Sequence, residues 1–176
     1  MSVHMVDQLR FARHEFERCF EDVSEEDAVK RLLPMNCISW MVGHLATHEN
    51  AYWNFVAQGI IVRPGLRDLT GSGKPASTPP LADMKAAWKE VTTRADEFLD
   101  TLTPADLEQY LHYKGKPMDE NTGTLLQRVI YHYWFHIGEM HAVRQQLGHQ
   151  NLPDFVGEME NEYAYHSDLA KLNHSS

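Results

Sequence analysis

The stretch TLLQRVIYHYWFHIGEMHAVRQQLG, residues 124–148, decides the fold. It predicts one long helix that is capped at its start by Thr124 and ended by Gly148. Arg144 lies in the last turn, where a cation interacts favourably with the helix dipole. This is the fourth and last of the long helices that the sequence predicts, and it carries a pair of histidines.

His132 and His136 lie four residues apart within this helix, so they share one helical face and can bind one ion together. His141 follows five residues later and points elsewhere. The chain has 11 histidines in 176 residues, and histidine is both the usual neutral metal ligand and the usual proton shuttle near pH 7. An HxxxH pair alone is equally compatible with side chains that only hydrogen-bond.

Three other long stretches have helical spacing of apolar residues, and short punctuated segments separate them. The predicted long helices are 2–20, 38–58 and 78–99. A capped turn is predicted at 24–27, a Gly- and Pro-rich crossover at 60–80, a turn after 103–104, an irregular loop or short hairpin at 111–123, and a last short helix at 157–171. No run of alternating β-branched residues is long enough to predict a sheet. The expected fold is therefore all-α, a four-helix bundle with a long crossover between helices 2 and 3.

Composition excludes several function classes. The net charge of −9 repels phosphate backbones and anionic lipid surfaces, so neither nucleic acid nor a membrane is the expected partner. No stretch resembles a signal peptide or a membrane span, and the two cysteines form neither a CxxC pair nor a disulfide framework. These features predict a cytoplasmic protein with one domain, in which residues 1–157 form the bundle and residues 158–176 form an extension packed on it.

The second helix carries a similar histidine pair. His44 and His48 share a face with Trp40. A histidine of this helix, if it faced the HxxxH pair across the bundle, would complete three neutral imidazoles around a divalent metal and leave positions open for water or substrate. Spacing alone does not show that the two helices face each other.

Two segments resemble the signatures of the DinB/YfiT-like superfamily. They are Trp40 to Glu49, read as W-x-x-x-H-L-x-x-x-E, and His132 to Gly148, read as H-x-x-x-H-I-G-x-x-x-x-x-R-x-x-x-G. The resemblance implies a four-helix bundle of unusual connectivity and a metal held by one histidine of helix 2 and the HxxxH pair of helix 4. The implied ligands are His44, His132 and His136, with His44 preferred to His48 because the triplet 43–45 matches the family's ligand position.

The resemblance also implies a type of chemistry. The superfamily includes transferases and isomerases that use low-molecular-weight thiols such as mycothiol or bacillithiol. The expected function is that of a metal-dependent enzyme in which zinc or nickel activates a thiol or water for S-transfer or hydrolysis of a small-molecule substrate. The alternatives are a non-catalytic metal-binding or interaction bundle, and a plain structural bundle. A homodimer is expected and is compatible with all three.

Four further residues are candidates for roles at the site. Glu49 and Glu139 either anchor imidazole N–H groups or act as bases, or else are solvated residues of a helix face. His48 either faces the substrate or is an ordinary residue of an amphipathic helix. Arg144 could bind an anionic thiol cofactor, although helix termination also explains it. The aromatic residues near the histidines either wall a pocket or belong to the core: Tyr52, Trp53, Phe55, Tyr133, Trp134 and Phe135.

Overall fold

A computed structural model of the chain describes residues 3–154, 156–157 and 159–165, and most of these residues are helical. The helices in this part of the chain are α1 (His4–Arg18), α2 (Glu25–Ala28), α3 (Ile38–Glu49), α4 (Leu66–Thr70), α5 (Leu81–Leu99), α6 (Thr122–Gln146) and α7 (Met159–Glu162). The helix α3 continues as a π-helical segment, Asn50–Val56, and residues 57–58 are helical too, so the second long helix spans the predicted residues 38–58.

The four long helices form a bundle, as predicted. The main contacts pair α3 with α5 and α1 with α6, and α3 also packs on α6. The buried interior is apolar and aromatic, and Phe16 stands at its centre in ring contact with three aromatic neighbours, Phe20, Trp88 and Tyr133. Among the aromatic residues near the histidines, Trp53 and Tyr133 belong to the core, and Tyr52 and Trp134 pack against it. Phe55 and Phe135 are exposed, so they fill neither of the two expected roles.

The helix starts differ from the prediction at two places. Asn121, rather than Thr124, caps α6, because its backbone is extended and its side chain accepts a 2.9 Å hydrogen bond from the Thr124 amide. The helix α5 begins at Leu81 rather than near 78. Its first amides, those of Leu81 and Ala82, each donate 2.8 Å hydrogen bonds to the Glu25 carboxylate, so the cap comes from α2 and not from the local sequence.

The crossover between α3 and α5 is not a plain loop, since it contains α4. Gly59 ends the preceding helical segment with a φ of +74°, and Gly65 precedes α4 with a φ of +85°. Both values lie in the left-handed region that glycine occupies without strain. The helix α4 packs on α3. This contact places Thr70, the last residue of α4, against the segment of α3 that carries His44.

A 3₁₀ turn at Asp106–Glu108 follows the predicted turn, and a two-stranded antiparallel hairpin pairs His112–Tyr113 with Lys116–Pro117. The hairpin decides between the two forms expected for this segment. These two strands are the only ones in the described part of the chain. None of the described helices is long and apolar enough to cross a membrane.

The segment after α6 returns to α1. Gly148 has a φ of +86° and follows the last turn of α6, as predicted. The Gly157 amide donates a 2.9 Å hydrogen bond to Glu15, and Tyr163 lies with its ring 4.7 Å from that of Phe11. Of the predicted helix at 157–171, the structure shows only Met159–Glu162, and residues 166–171 lie outside the described residues.

Candidate metal centre

Three histidines from two helices meet inside the bundle. His44 comes from α3, and His132 and His136 lie one turn apart on α6. One ring nitrogen from each lies within 4.8 Å of the others. The His132 Nε2 atom is 3.2 Å from the His44 Nε2 atom and 3.0 Å from the His136 Nε2 atom. The helices α3 and α6 therefore do face each other at this point.

The opposite ring nitrogens of two of these histidines are held by hydrogen-bond acceptors. The His44 Nδ1–H donates to the Thr70 carbonyl oxygen at 2.9 Å, and the His136 Nδ1–H donates to the Glu139 carboxylate at 2.8 Å. Because a carbonyl and a carboxylate only accept, both imidazoles carry their proton on Nδ1 when neutral. Their Nε2 lone pairs are consequently directed at the shared centre, as in histidines that bind a metal.

His132 lies between the other two imidazoles, and its Nδ1 atom is 3.3 Å from the Nδ1 atom of His48. Burial lowers the pKa of His44. Burial also lowers the pKa of His132 to about 3, and the neighbouring histidines add to this decrease. His44 and His132 therefore take up a second proton less readily than a free imidazole does. A hydrogen on the His132 Nε2 atom could serve only one of these two contacts, whereas a divalent ion between the three atoms would satisfy all of them, so the donor set fits a divalent metal ion.

Close packing fixes the position of His44. The Trp40 ring stacks on the His44 ring with centroids 4.5 Å apart and an angle of 11°. Gly43 allows α4 and α5 to approach, because a Cβ atom there would lie 2.4 Å from the Met84 Sδ atom and 2.7 Å from the Thr70 Cγ2 atom. The glycine before His44 thus places the Thr70 carbonyl within reach of the imidazole.

Glu49 is fully buried, and its carboxylate accepts hydrogen bonds from Arg13 and from the Tyr133 hydroxyl. The Trp88 indole N–H donates to the same hydroxyl at 2.8 Å. This differs from both expectations for Glu49, because it lies neither against an imidazole nor on a solvated helix face. It follows His44 by five residues, which turns it about 140° around the helix towards α1.

Arg144 is also placed differently from the cofactor-binding candidate. Its side chain is almost fully buried, and it donates to the Cys19 carbonyl at 2.8 Å and to the Asn151 carbonyl at 3.0 Å. It further pairs with Asp22 and hydrogen-bonds the ring of His149. The guanidinium therefore joins the end of α1 to the segment after α6, and all these partners belong to the protein.

A cavity of about 500 Å³ opens beside His132 and His48. The other residues that line it come from α6 and the segment before it, and they are polar or aromatic: Glu120, Thr124, Gln127, Arg128 and Tyr131. Arg128 and Thr124 precede His132 by one and two helical turns, so helical periodicity could have indicated them from the sequence. The Thr70 carbonyl has no side-chain signature, so only the tertiary structure could show its role.

Comparison with known proteins supports this description. The family model of the DinB superfamily matches residues 8–140, and the chain therefore belongs to the DinB superfamily. Among solved structures, a DinB-like protein from Bacillus subtilis has the same fold, with a TM-score of 0.55 and 17% sequence identity. The match covers 88% of this chain and 96% of the Bacillus chain. No curated protein matches the sequence.

Proposed function

We propose that this protein is a metal-dependent enzyme in which His44, His132 and His136 hold a divalent ion, zinc or nickel, for S-transfer or hydrolysis. The observation that carries the proposal is the convergence of three imidazole Nε2 atoms, two of which belong to rings whose Nδ1–H groups donate to other acceptors. Imidazole ligands suit both metals. Membership of the DinB superfamily agrees with a metal site in this fold.

A bound divalent ion would lower the pKa of a thiol or water and so supply a nucleophile near neutral pH. The protein's own residues would then orient the ligands and admit the reactants. Thr70 and Glu139 hold two of the imidazoles, and three protein ligands leave coordination positions open. The cavity beside His132 offers room for a small substrate and for a low-molecular-weight thiol.

His48 and Glu139 are proposed to orient the ligands rather than to act as the general base. Burial lowers the pKa of His48 to about 4, which makes it a weak proton acceptor near neutral pH. Its Nδ1 atom faces that of His132, so it can fix which nitrogen of His132 carries the proton. The Glu139 carboxylate is engaged by His136.

The metal content of the protein tests the proposal. Protein without a histidine tag would be loaded with Zn²⁺ or Ni²⁺, desalted and measured by elemental mass spectrometry, together with His44→Ala, His136→Ala and the control His112→Ala. His112 is exposed in the hairpin. We expect about one ion per chain in the wild type and the control, and loss of that ion in the other two variants. Failure of the wild type to bind either metal would overturn the proposal.

Turnover separates the enzyme from the alternative, a non-catalytic metal-binding or interaction bundle. The metal-loaded protein and its metal-free form would be compared in thiol-transfer assays with mycothiol and bacillithiol and in hydrolysis assays. Metal-dependent turnover would support the enzyme, whereas full metal occupancy without turnover in either assay would favour the alternative. The cavity beside the histidines favours the enzyme, because a metal with a purely structural role needs no adjoining space.

A further inference from the structure

Arg128 lies in the wall of the cavity, one helical turn before His132 on α6. Residues with this spacing have Cβ atoms about 5–6 Å apart on the same helix face. A small molecule in the cavity can therefore contact the guanidinium at one end while its other end lies beside the candidate metal ligand. The cavity thus has two chemically different ends.

The Arg128 guanidinium already holds a carboxylate in this structure. Its Nε–H donates to the Glu120 Oε2 atom at 2.7 Å, and its Nη2–H donates to Oε1 of the same carboxylate. Two parallel hydrogen bonds of this kind are the arrangement in which arginine recognises a carboxylate. Glu120 also lines the cavity, so its carboxylate occupies the position that an external carboxylate would take.

The pair between Arg128 and Glu120 is suited to exchange. The Arg128 side chain is 53% exposed and that of Glu120 is 25% exposed, and ion pairs with such exposure contribute little to stability. An entering carboxylate can therefore replace Glu120 at low cost. Because Glu120 belongs to the segment before α6, its displacement would leave the helix that carries His132 in place.

Charge also favours an anionic ligand at this end of the cavity. The chain carries a net charge of −9, which repels anions at long range, so an anionic substrate needs a local cation. Among the described lining residues, Arg128 supplies the permanent positive charge.

We propose that Arg128 binds a carboxylate group of the substrate, and that the site takes small molecules with a carboxylate at one end and the reacting group at the other. The inference rests on the proposed function, because it assigns the reacting end to the three histidines. It adds the substrate class. Glu120 then acts as an internal competitor that occupies Arg128 until the substrate enters.

Thiol probes of equal length test this proposal without requiring turnover. The protein would be loaded with Co²⁺, and thiolate binding would be followed by the thiolate-to-cobalt charge-transfer absorption. The probes are 3-mercaptopropionate, which ends in a carboxylate, and 3-mercaptopropionamide, which ends in a neutral amide of the same size. The quantity measured is the ratio of their dissociation constants, and comparison between variants cancels the intrinsic difference between the two thiols.

We expect the carboxylate thiol to gain about 10-fold or more in affinity over the neutral thiol in the wild type. Arg128→Gln should abolish this preference, Arg128→Lys should restore part of it, and Glu120→Gln should increase it by removing the competitor. The control is Arg94→Gln, because Arg94 is also an exposed arginine in a pair with a glutamate, Glu97, but lies on α5 away from the cavity. It should keep the wild-type ratio.

The outcomes separate this inference from the proposed function. If both thiols give the charge-transfer band but the ratio is the same in the wild type and Arg128→Gln, the carboxylate assignment is wrong and the metal site stands. If Co²⁺ does not bind at all, both are wrong. An unchanged cobalt spectrum in Arg128→Gln without thiol would show that the variant keeps the site intact, and the surface position of Arg128 makes this the expected result.

Discussion

His136 donates its Nδ1–H to the Glu139 carboxylate at 2.8 Å, and the two residues lie three positions apart on α6. The imidazole is nearly buried and the carboxylate is largely so. A carboxylate in this position orients the ring and makes its other nitrogen a stronger ligand. We therefore propose that Glu139 supports the candidate metal centre by orienting His136.

Replacing Glu139 with glutamine tests this relationship. Glu139→Gln keeps a hydrogen-bond acceptor but removes its charge, so we expect the affinity for Zn²⁺ to fall about 10- to 100-fold. The measurement is a competition titration against a chelating dye. Glu97→Gln is the control, because Glu97 is exposed and pairs with Arg94 on α5. An unchanged affinity, with a loss of turnover only, would instead make Glu139 a base that acts on the substrate.

Gly43 tests the packing that places the Thr70 carbonyl against His44. In Gly43→Ala the new methyl group would overlap Met84 and Thr70, so the thioether and the end of α4 must shift. We expect a loss of about 1–3 kcal/mol in the free energy of unfolding, and weaker Zn²⁺ binding because the Thr70 carbonyl moves away from the imidazole. Urea denaturation and the dye titration measure the two effects.

Gly138 provides the matched control, since it is a helical glycine on α6 with no atom within 4 Å of the position of a Cβ. Gly138→Ala should raise stability by about 0.5–1 kcal/mol, because alanine loses less entropy than glycine in a helix. Its metal affinity should equal that of the wild type. Equal effects of the two substitutions on metal binding would contradict the role assigned to Gly43.

Much of the candidate site follows from helical spacing, and the rest depends on tertiary contacts. The pair His132 and His136 is evident from the four-residue spacing, and the choice of His44 came from the family resemblance. Thr70 acts through a backbone carbonyl of a short helix inside the crossover, which no sequence pattern marks. The direction of Glu49 could have been derived, because a residue five positions after His44 lies about 140° further around the helix.

The fold was predictable where apolar spacing is regular and less so at the helix ends. The all-α bundle and the crossover were expected from periodicity and from the Gly- and Pro-rich segment. The cap on Leu81 and Ala82 comes from Glu25, more than fifty residues away, so local sequence could not indicate where α5 begins. The homodimer and the cytoplasmic location remain predictions.

The buried ion pair between Arg13 and Glu49 is expected to stabilise the fold only while both partners are present. Glu49→Gln would leave the Arg13 charge in the core with Asp96 as its remaining acidic partner, at 2.8 Å. Removal of one partner of a buried pair costs about 3–5 kcal/mol, and Asp96 should keep the loss near the lower figure. Urea denaturation measures it.

A double variant shows whether the loss of stability in Glu49→Gln comes from leaving the Arg13 charge without its partner. Arg13→Met combined with Glu49→Leu removes both charges but also removes the acceptor of the buried Tyr133 hydroxyl, so only part of the lost stability should return. Metal affinity should stay near the wild-type value in every variant that folds, because the Glu49 carboxylate faces Arg13 and Tyr133. Loss of the metal from a Glu49→Gln protein of normal stability would show instead that Glu49 supports the imidazoles.

Acid should destabilise the metal-free protein before its carboxylates titrate. Burial lowers the pKa of His48 to about 4 and that of His132 to about 3, whereas an imidazole in the unfolded chain has a pKa near 6.5. Below about pH 6.5 the unfolded chain therefore binds protons that the folded chain excludes, and the free energy of unfolding falls as the pH drops towards those lower values. Thermal melts of the metal-free protein between about pH 7 and pH 5 should show a falling Tm.

His132→Gln should reduce the slope of stability against pH by about one proton, and His112→Gln should not. An identical slope in the wild type and His132→Gln would mean that the His132 imidazole takes up its proton as readily in the folded chain as in the unfolded one.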